Sequence, residues 1–461
     1  MTLVKAIGIP VLLIALLIGL VKYQNRKSLV ELERIEKWAD ENKFKVDKIL
    51  NKPEIFSVEF DEKEWNFLKQ KLSLTRYFTP LKDVPKFDYG FDPEYAKELI
   101  DYWNTKFDWK SQVDFLNKYP QFRVNINDTI LHYVHYVTNP SAEKKVNLLL
   151  LDGWPGSFFG FYKMIDFIDQ NYKDTSYNII VPSIPGYGYS NPTEKVLDAF
   201  DTAMFYDAIM RLENGENTEY YVHGEDWGSI ITTYLAKLYP KRVRAIHITM
   251  PPFTSFFDLK SLSFALVGQF FPESILTPDE AKYNFRFSFS EILTLIIKKA
   301  GYFHIQASKP DSMGAGMSDS PFGLLSYVLE KYSLGSFGFN QTCGTRDGLL
   351  EKLGRDELLT IITYYWMTNC ITSSMRLYRN TFYTLEKGWP RTVLNNLIIS
   401  EKVPVAVQLF RYEVSFVPFK VLEQKYLNLV RYNIVEDGGH FASFENPQKS
   451  AVDFIDFIKN L

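Results

Sequence analysis

The chain has 461 residues, with 52 Lys and Arg against 55 Asp and Glu, so its net charge is −3. This balance excludes a general nucleic-acid binder, because there is no surplus of cations to neutralise phosphates. The only cysteines are Cys343 and Cys370, which excludes a disulfide-rich scaffold or a Cys-rich zinc module and favours two reduced thiols. Hydrophobic residues make up 46% and aromatic residues 16% of the chain, which indicates a large globular core with apolar pockets.

The first 23 residues contain a long uncharged run, Ala6–Val21, which lies between Lys5 and Lys22. As a helix this run would be about 24 Å long, and the flanking ammonium groups can extend it to both interfaces of a bilayer. We therefore predict that residues 1–23 form a membrane anchor. A cleaved signal peptide is the alternative, but the end of the run offers a poor cleavage site. Positive charge follows the span, at Lys22, Arg26 and Lys27. This asymmetry predicts that the remainder of the chain faces the cytosol.

The next two regions differ in composition. Residues 24–52 are rich in charged residues, with apolar positions at helical spacing, and are predicted to form a charged helical stalk that can pack on the body. Residues 53–145 alternate predicted helices, Asp61–Leu72 and Pro93–Trp109, with aromatic loops. This region ends in a strand-like alternation at Ile130–Val137.

A different pattern begins at residue 146, where short apolar runs alternate with helical patterns. The runs are Val146–Trp154, Tyr177–Gly188, Glu219–Ser229 and Arg244–Met250. Such continuous apolar runs are typical of strands in a parallel sheet that helices cover on both faces.

The strands then stop and resume. Residues 259–396 are helix-patterned, with a Gly/Ser/Pro-rich interruption near Ser308–Pro321. Residues 397–461 add two strand-like runs and a final helix, at Val403–Phe410, Leu429–Glu436 and Ser450–Leu461. A parallel sheet interrupted before its last two strands predicts an α/β-hydrolase fold, with its core at residues 146–258 and 397–461 and a helical lid at residues 259–396.

The segment around Asp226 has the pattern of a nucleophile elbow. An apolar strand leads into Gly224-Glu-Asp226-Trp-Gly228, and a helix follows. Glycines two positions from the nucleophile permit the sharp turn that exposes its side chain near the positive end of the helix. A carboxylate at this position can displace a leaving group at a saturated carbon and form an alkyl ester. The alternative is an Asp that only caps the helix.

A base and an orienting acid are predicted downstream. His440 follows a Gly-Gly pair after the last strand, and Glu413 lies just beyond the preceding strand. The chain order of nucleophile, acid and histidine matches the order in this fold. His440 would deprotonate water and Glu413 would orient its imidazole, although Glu401 and Glu423 lie close enough in sequence to be alternatives for Glu413.

An oxyanion hole is predicted in the loop after the strand Val146–Leu151. Its sequence is Asp152-Gly-Trp154-Pro-Gly-Ser. The backbone N–H groups of Trp154 and of Trp227, the residue after the nucleophile, would hold the oxyanion that forms when water attacks the ester. An ordinary turn at the end of a strand is the alternative.

Several long motifs together resemble the microsomal epoxide hydrolases, including the juvenile hormone epoxide hydrolase branch. The motifs are DGWPGSFFGFY, PSIPGYGYS, GEDWGS, GYFHIQASKP and GGHFASFE. The resemblance extends over nearly the whole chain and implies that residues 53–145 wrap the core. It also implies a single-pass protein of the endoplasmic reticulum membrane with a cytosolic catalytic domain.

The resemblance further implies that two lid tyrosines, Tyr302 and Tyr378, donate protons to the epoxide oxygen. Asp226 would then open the ring and His440 would activate water, giving a vicinal diol with no metal or organic cofactor. The implied substrate is a small lipophilic epoxide: a xenobiotic, a fatty-acid epoxide or a juvenile-hormone-like compound.

One residue departs from the family. The family usually has His before Gly-Trp-Pro, where this chain has Asp152. We expect the loop geometry and the local charge beside Asp226 to differ here. Two other functions remain open: another hydrolase with an Asp nucleophile, such as a haloalkane dehalogenase, and a catalytically silent relative that binds lipid.

Overall fold

The computed structural model describes residues 27–45, 49, 52–190, 192, 194–252, 259–336, 346–383, 388–391 and 397–461. The predicted anchor at residues 1–23 and Cys343 lie outside these ranges, and Cys370 is a buried free thiol. Among the described residues, every helix falls short of the length and apolarity that crossing a bilayer requires.

A nine-stranded mixed sheet forms the centre of the fold. Its strands are β1 (Glu54–Phe56), β2 (Gln121–Ile126), β3 (Thr129–Val137), β4 (Lys144–Leu151), β5 (Thr175–Pro182), β6 (Tyr220–Gly224), β7 (Val243–Ile248), β8 (Val405–Tyr412) and β9 (Leu429–Gly439). Their order across the sheet is β1-β2-β3-β5-β4-β6-β7-β8-β9. The pairs from β5 to β9 are parallel, whereas β1, β2 and β3 form an antiparallel extension that pairs with β5.

Helices cover both faces of the parallel part. Side chains alternate across a strand, so Tyr220 and His223 of β6 point to opposite faces. The Tyr220 hydroxyl donates to Asp207 on the helix Ala199–Asn214, while His223 packs on Phe454 of the C-terminal helix. The central strands are therefore buried on both sides, which explains their continuous apolar runs.

The α/β-hydrolase core also uses the helices Tyr162–Asn171, Trp227–Leu238 and Pro447–Lys459. Between β7 and β8 the chain leaves the sheet and forms a helical insertion. Its helices are Leu259–Phe270, Pro272–Ile275, Pro278–Lys282, Phe289–Thr294, Gly301–Ser308, Pro310–Asp319, Pro321–Gly335, Arg346–Lys352, Arg355–Met367 and Ile371–Phe382, with a π-helical turn at Leu295–Lys299. The remaining short elements are a 3₁₀ turn at Phe158–Phe161 and helices at Phe419–Leu422 and Ala442–Glu445.

The N-terminal region braces this insertion. Its helices are Glu62–Ser73, Pro93–Thr105 and Trp109–Leu116. Lys71 Nζ lies 2.5 Å from Asp319 Oδ1, and the Tyr102 hydroxyl donates to Asp356 at 2.9 Å. Residues 27–42 form a further helix, whose Leu32, Ile35 and Ala39 are buried in the main core.

Two local predictions were wrong. The Gly/Ser/Pro-rich stretch near Ser308–Pro321 is not an interruption but contains the helix Pro310–Asp319, because Pro is tolerated in the first turn and Gly314 allows close packing. A Cβ at Gly314 would overlap the side chain of Thr372. The helix predicted at Pro93–Trp109 ends at Thr105, because Asp108 caps a separate helix by accepting the Ser111 N–H at 3.2 Å.

A buried ionic cluster joins three elements of the core. Asp207 accepts from Arg211 Nε at 2.8 Å, from Arg242 Nε at 2.7 Å and from the Tyr220 hydroxyl at 3.0 Å. Arg211 continues the cluster to the carbonyl of Phe44, beyond the N-terminal helix. Removing this carboxylate would leave both buried guanidinium groups without the counter-ion they share. Arg211 would keep only Glu216 and Arg242 only Asp40, and the side chains of both of these acids are partly exposed.

We expect Asp207→Ala to lower the free energy of unfolding by about 3–5 kcal/mol, because breaking a buried ion pair leaves charge uncompensated. The measurement is the urea midpoint of the full chain. The control is Asp311→Asn, which removes an exposed pair with Arg376 and should cost less than about 1 kcal/mol. Equal effects of the two substitutions would contradict the assignment of Asp207 as a core counter-ion.

Candidate active site

The candidate site lies at the carboxyl edge of the parallel strands. Asp226 follows β6, Asp152 and Trp154 follow β4, Glu413 follows β8, and His440 follows β9. Parallel strands end at the same edge of a sheet, so residues distant in sequence converge there. The structure thus brings together the side chains that the motifs predicted separately.

Asp226 occupies a strained turn. Its φ is +47° and its ψ is −121°, in a region that side-chain-bearing residues rarely adopt. Cβ atoms at Gly224 and Gly228 would overlap the Thr232 hydroxyl and the Leu151 carbonyl. Only glycine therefore fits on either side of this turn, and the turn projects the Asp226 carboxylate above the sheet.

His440 contacts both predicted acids. Its Nδ1 lies 2.6 Å from Glu413 Oε1, and its Nε2 lies 3.4 Å from Asp226 Oδ2. The Glu413 side chain is 0% exposed, that of His440 8% and that of Asp226 15%, so only the nucleophile end of the group opens toward the cleft. The structure brings Glu413 to the imidazole, and not Glu401 or Glu423.

The two carboxylates control the charge of His440. Burial alone lowers the pKa of the imidazole, but the charges and hydrogen bonds of Glu413 and Asp226 outweigh burial and raise the pKa well above its ordinary value. The backbone of His440 is also fixed, because its N–H donates to the Gly335 carbonyl at 2.7 Å. The imidazole is therefore held as a cation between two acids.

The predicted oxyanion hole faces Asp226. The Trp154 N–H donates to Asp226 Oδ1 at 2.7 Å. A Cβ at Gly153 would overlap this carboxylate oxygen and would lie 2.5 Å from the Trp227 nitrogen. Gly153 thus lets the Asp226 carboxylate and the Trp227 backbone nitrogen come close to the loop that carries Trp154.

The two predicted tyrosines lie across the cleft on inserted helices. Their ring centroids are 6.3 Å apart. Tyr302 stacks on Trp154 at 5.8 Å, and Tyr378 packs edge-on against Trp227 at 4.7 Å. Burial, with a further contribution from the charge of Asp226, raises the pKa of both phenols, so both keep their protons at neutral pH.

Sequence reasoning missed several residues near this site. Ser374 accepts the Trp154 indole N–H at 3.1 Å. This bond links the loop after β4, residues 152–157 (the oxyanion loop), to the helix that carries Tyr378. Lys331 places its ammonium 4.6 Å from the centre of the Tyr302 ring. No sequence signal marked either residue. Glu225 is 4% exposed, and an acid adjacent to the nucleophile at the end of an apolar strand was a usable signal.

Asp152 lies inside the oxyanion loop. Its carboxylate accepts the N–H groups of Gly153 and Ser157, each at 2.7 Å. Burial and the charge of Glu225 raise the pKa of Asp152 to about 8, against the lowering effect of these two hydrogen bonds. Asp152 thus stands where the family usually has His, and it holds the loop by two hydrogen bonds. The Trp154 N–H still points at Asp226.

Among the described residues, no group of three His, Cys, Asp or Glu side chains is arranged to hold a metal ion.

Comparisons with known proteins agree with this geometry. Residues 53–161 match the family model "Epoxide hydrolase N terminus", and residues 146–287 match the "alpha/beta hydrolase fold" model. The chain is 35% identical to epoxide hydrolase 1 of Sus scrofa over 418 residues, which cover 87% of this chain and 88% of the relative. It is 35% identical to juvenile hormone epoxide hydrolase 1 of Ctenocephalides felis over 414 residues, which cover 88% and 85%.

Solved structures give the same result. The crystal structure of juvenile hormone epoxide hydrolase from the silkworm Bombyx mori superimposes with a TM-score of 0.81 at 32% identity, covering 90% of this chain and 96% of that chain. The Aspergillus niger epoxide hydrolase shares the fold, with a TM-score of 0.71 at 24% identity and coverage of 91% and 98%. The resemblance seen in the motifs is confirmed: the chain belongs to the epoxide hydrolase family that includes epoxide hydrolase 1 and the juvenile hormone epoxide hydrolases.

Proposed function

We propose that this protein hydrolyses lipophilic epoxides to vicinal diols through a covalent ester on Asp226. The observation that carries the proposal is the arrangement around this carboxylate. His440 Nε2 lies 3.4 Å from Asp226 Oδ2, and two protonated phenols, Tyr302 and Tyr378, lie across the cleft. The relatives' names, epoxide hydrolase 1 and juvenile hormone epoxide hydrolase, support the reaction class.

In the first step an Asp226 oxygen attacks one epoxide carbon, and the bond from this carbon to the ring oxygen breaks. The electron pair moves to the ring oxygen, which takes a proton from Tyr302 or Tyr378. Two phenols can share the developing alkoxide and stabilise it before the proton transfers. The product is an alkyl ester of Asp226 with a free hydroxyl on the neighbouring carbon.

In the second step His440 removes a proton from water, and the hydroxide attacks the Asp226 carboxyl carbon. The N–H groups of Trp154 and Trp227 hold the resulting oxyanion. Collapse of this intermediate breaks the ester bond, and the leaving alkoxide takes the proton from His440. One diol oxygen comes from the epoxide and the other from Asp226, whose carboxylate keeps an oxygen from water.

Ester formation prepares His440 for the second step. In the free enzyme the negative charge of Asp226 helps to raise the pKa of His440. The ester is neutral, so that contribution disappears and the imidazole passes its proton through solvent to the tyrosinate that ring opening leaves. His440 takes up a proton from solvent again once the Asp226 carboxylate is restored. Ester formation thus converts the His440 imidazolium into a neutral base, while Glu413 keeps the imidazole oriented.

The substrate and the location are part of the same proposal. The aromatic walls made by Trp154, Trp227 and the inserted helices favour an apolar epoxide. We propose that residues 259–396 act as a lid and that residues 53–145 wrap and brace it. We also propose that residues 1–23 anchor a single-pass protein in the endoplasmic reticulum membrane, with the catalytic domain in the cytosol. The apolar run and the positive charges that follow it support this placement.

A dehalogenase-like hydrolase would use the same elbow, but it needs halide donors rather than two phenols facing the nucleophile. The decisive assay compares hydrolysis of a styrene-oxide-like epoxide with that of a chloroalkane by the membrane fraction. Turnover of the chloroalkane alone would overturn the proposal. A panel of xenobiotic, fatty-acid and isoprenoid epoxides would then identify the substrate class.

The first prediction concerns the ester. We expect His440→Gln to form the ester normally and to hydrolyse it about 10²–10⁴-fold more slowly, because the general base is missing. Mass spectrometry of the peptide that contains Asp226 should show the added substrate. Asp226→Asn is the matched control and should show no adduct. A silent relative would give no adduct with either variant or with the unmodified chain.

The second prediction concerns the phenols. Tyr302→Phe and Tyr378→Phe should each slow ester formation by about 10²-fold, since each removes one donor to the developing alkoxide. Tyr327→Phe, which removes a neighbouring phenol that also packs on Trp154, is the control and should have little effect. Rapid-quench measurement of ester formation distinguishes these cases. Equal losses for all three variants would contradict the assigned donors.

The third prediction concerns pH. Ester hydrolysis needs a neutral imidazole, whereas ester formation does not, so the fraction of enzyme present as ester should rise as the pH falls through the pKa of His440 in the ester. Glu413→Gln removes a group that raises the pKa of His440. This variant should shift the acidic limb of hydrolysis to lower pH while reducing the maximal rate. An acidic limb that Glu413→Gln leaves in place would contradict His440 as the base.

A further inference from the structure

Two buried acids that the mechanism does not use lie directly behind the nucleophile. We propose that Asp152 and Glu225 are a pair of positioning carboxylates that act on ester hydrolysis: Asp152 fixes the oxyanion loop, and Glu225 fixes the loop that carries His440. This inference rests on the proposed function. It adds two residues that set the geometry of the second chemical step.

The first contact set belongs to Asp152. Its two oxygens accept the N–H groups of Gly153 and Ser157, which lie on either side of Trp154 in the oxyanion loop. A Cβ at Gly156 would overlap the Asp152 carboxylate, so the loop is wrapped tightly around it. Asp152 thus helps to fix the orientation of the Trp154 N–H, together with the Tyr332 and Tyr365 hydroxyls, which donate to the Pro155 and Gly156 carbonyls.

The second contact set belongs to Glu225. Its carboxylate accepts the Ser443 N–H at 2.9 Å and also the Ser443 hydroxyl. Ser443 lies three residues after His440, while Glu225 immediately precedes Asp226. One buried carboxylate thus links the strand end that carries the nucleophile to the loop that carries the base.

Glu225 is itself held by a series of buried side chains that begins at His223 of β6. His223 Nε2 lies 2.9 Å from Glu225 Oε1, and His223 Nδ1 lies 2.8 Å from His247 Nδ1. His247 Nε2 lies 3.0 Å from Asp453, which also accepts from Arg431 of β9 at 2.9 Å. These contacts hold the Glu225 carboxylate in place through β7, the C-terminal helix and the first half of β9.

The two acids also lie close enough to interact, because the charge of Glu225 is, after burial, a cause of the raised pKa of Asp152. Asp152 and Glu225 line one cavity of about 10 Å³, together with Ser157, Tyr332 and Ser443. Such a space holds at most about one water molecule, so little solvent separates the two acids. The oxyanion that the Trp154 N–H would hold forms only during ester hydrolysis, so the larger effect should fall on that step. Ring opening should change less, because there the same N–H only positions the Asp226 carboxylate.

The pair should also give a pH signature. Among the described residues, the titratable groups that interact electrostatically with Asp152 are acids and phenols: Glu225, Asp226, Tyr187, Tyr206, Tyr332 and Tyr364. The pKa of Asp152 is raised to about 8, so this carboxyl is largely neutral below that pH and gains a negative charge above it. The new charge would lie beside the oxyanion and oppose its formation. Ester hydrolysis should therefore slow as the pH rises through this pKa.

The test measures ester formation and ester decay separately, by rapid quench and mass spectrometry of the peptide that contains Asp226. Asp152→Ala and Glu225→Gln should each slow ester decay about tenfold, the cost of one or two lost hydrogen bonds, and leave ester formation within about threefold. Asp152→Asn keeps the size and one of the two N–H acceptors but cannot ionise, so its decay rate should fall less than that of Asp152→Ala and should lack the alkaline fall. Glu213→Gln, a carboxylate that contacts Tyr133 and His135 away from the site, is the matched control and should change neither rate.

The outcomes distinguish failure of the proposed function from failure of the positioning role. If the unmodified chain forms no ester on Asp226, the proposed function fails. If it forms and hydrolyses the ester, but the variants decay at the unmodified rate or lose both rates equally, the positioning role is overturned. If Asp152→Ala does not fold, Asp152→Asn and Glu225→Gln decide the question, since an unchanged alkaline limb in Asp152→Asn together with normal decay in Glu225→Gln also overturns it.

Discussion

The contact between the His440 imidazole and the Asp226 carboxylate is the interaction on which the site depends. Its two partners leave the sheet from different strands, β9 and β6, and are 214 positions apart in sequence (440 minus 226). A side chain at the end of a flexible loop would not hold a 3.4 Å separation. The strained turn at Asp226, the backbone bond of His440 to Gly335 and the pairing with Glu413 together remove that freedom.

Electrostatics make this contact change during the reaction. A cationic imidazole between two carboxylates is stable in the free enzyme, because burial costs less than the two attractions contribute. Neutralising one carboxylate by esterification shifts the balance and frees the base. Behind the nucleophile, burial and the charge of Glu225 likewise raise the pKa of Asp152, and the two acids line one small cavity. In both places a neighbouring acid changes the charge of a buried side chain.

The inserted helices complete the site from the other side. Tyr302 and Tyr378 come from two different helices, and both pack on tryptophans of the core loops. The N-terminal region supports these helices from outside through contacts such as Lys71 with Asp319. The phenols thus keep their position relative to Asp226 although they belong to a separate part of the chain. Packing of aromatic rings connects the two parts, together with hydrogen bonds such as those from Trp154 to Ser374 and from His440 to Gly335.

The sequence by itself determined the elements whose cause is local. The glycines on either side of Asp226 indicate a sharp turn, and the continuous apolar runs indicate buried strands. The chain order of Asp226, Glu413 and His440 matches the order of nucleophile, acid and histidine in this fold. The resemblance to epoxide hydrolases, confirmed by the comparisons, added Tyr302 and Tyr378. One local pattern misled because its context was tertiary: the helix Pro310–Asp319 contains a glycine that serves packing against Thr372. The other error was local, because the cap at Asp108 divides the predicted helix Pro93–Trp109.

The tertiary structure decided which distant groups meet. Sequence offered three glutamates near His440, and only the loop after β8 brings Glu413 to within 2.6 Å. Sequence also marked Asp152 as a departure, but gave no sign that its carboxylate faces Glu225 or that Glu225 binds Ser443. Burial and electrostatic coupling depend on all the groups that surround a side chain in space. In this site those groups follow four different strands, β4, β6, β8 and β9. The local sequence cannot show which groups will enclose a side chain, because the ends of these strands come together only in the folded sheet.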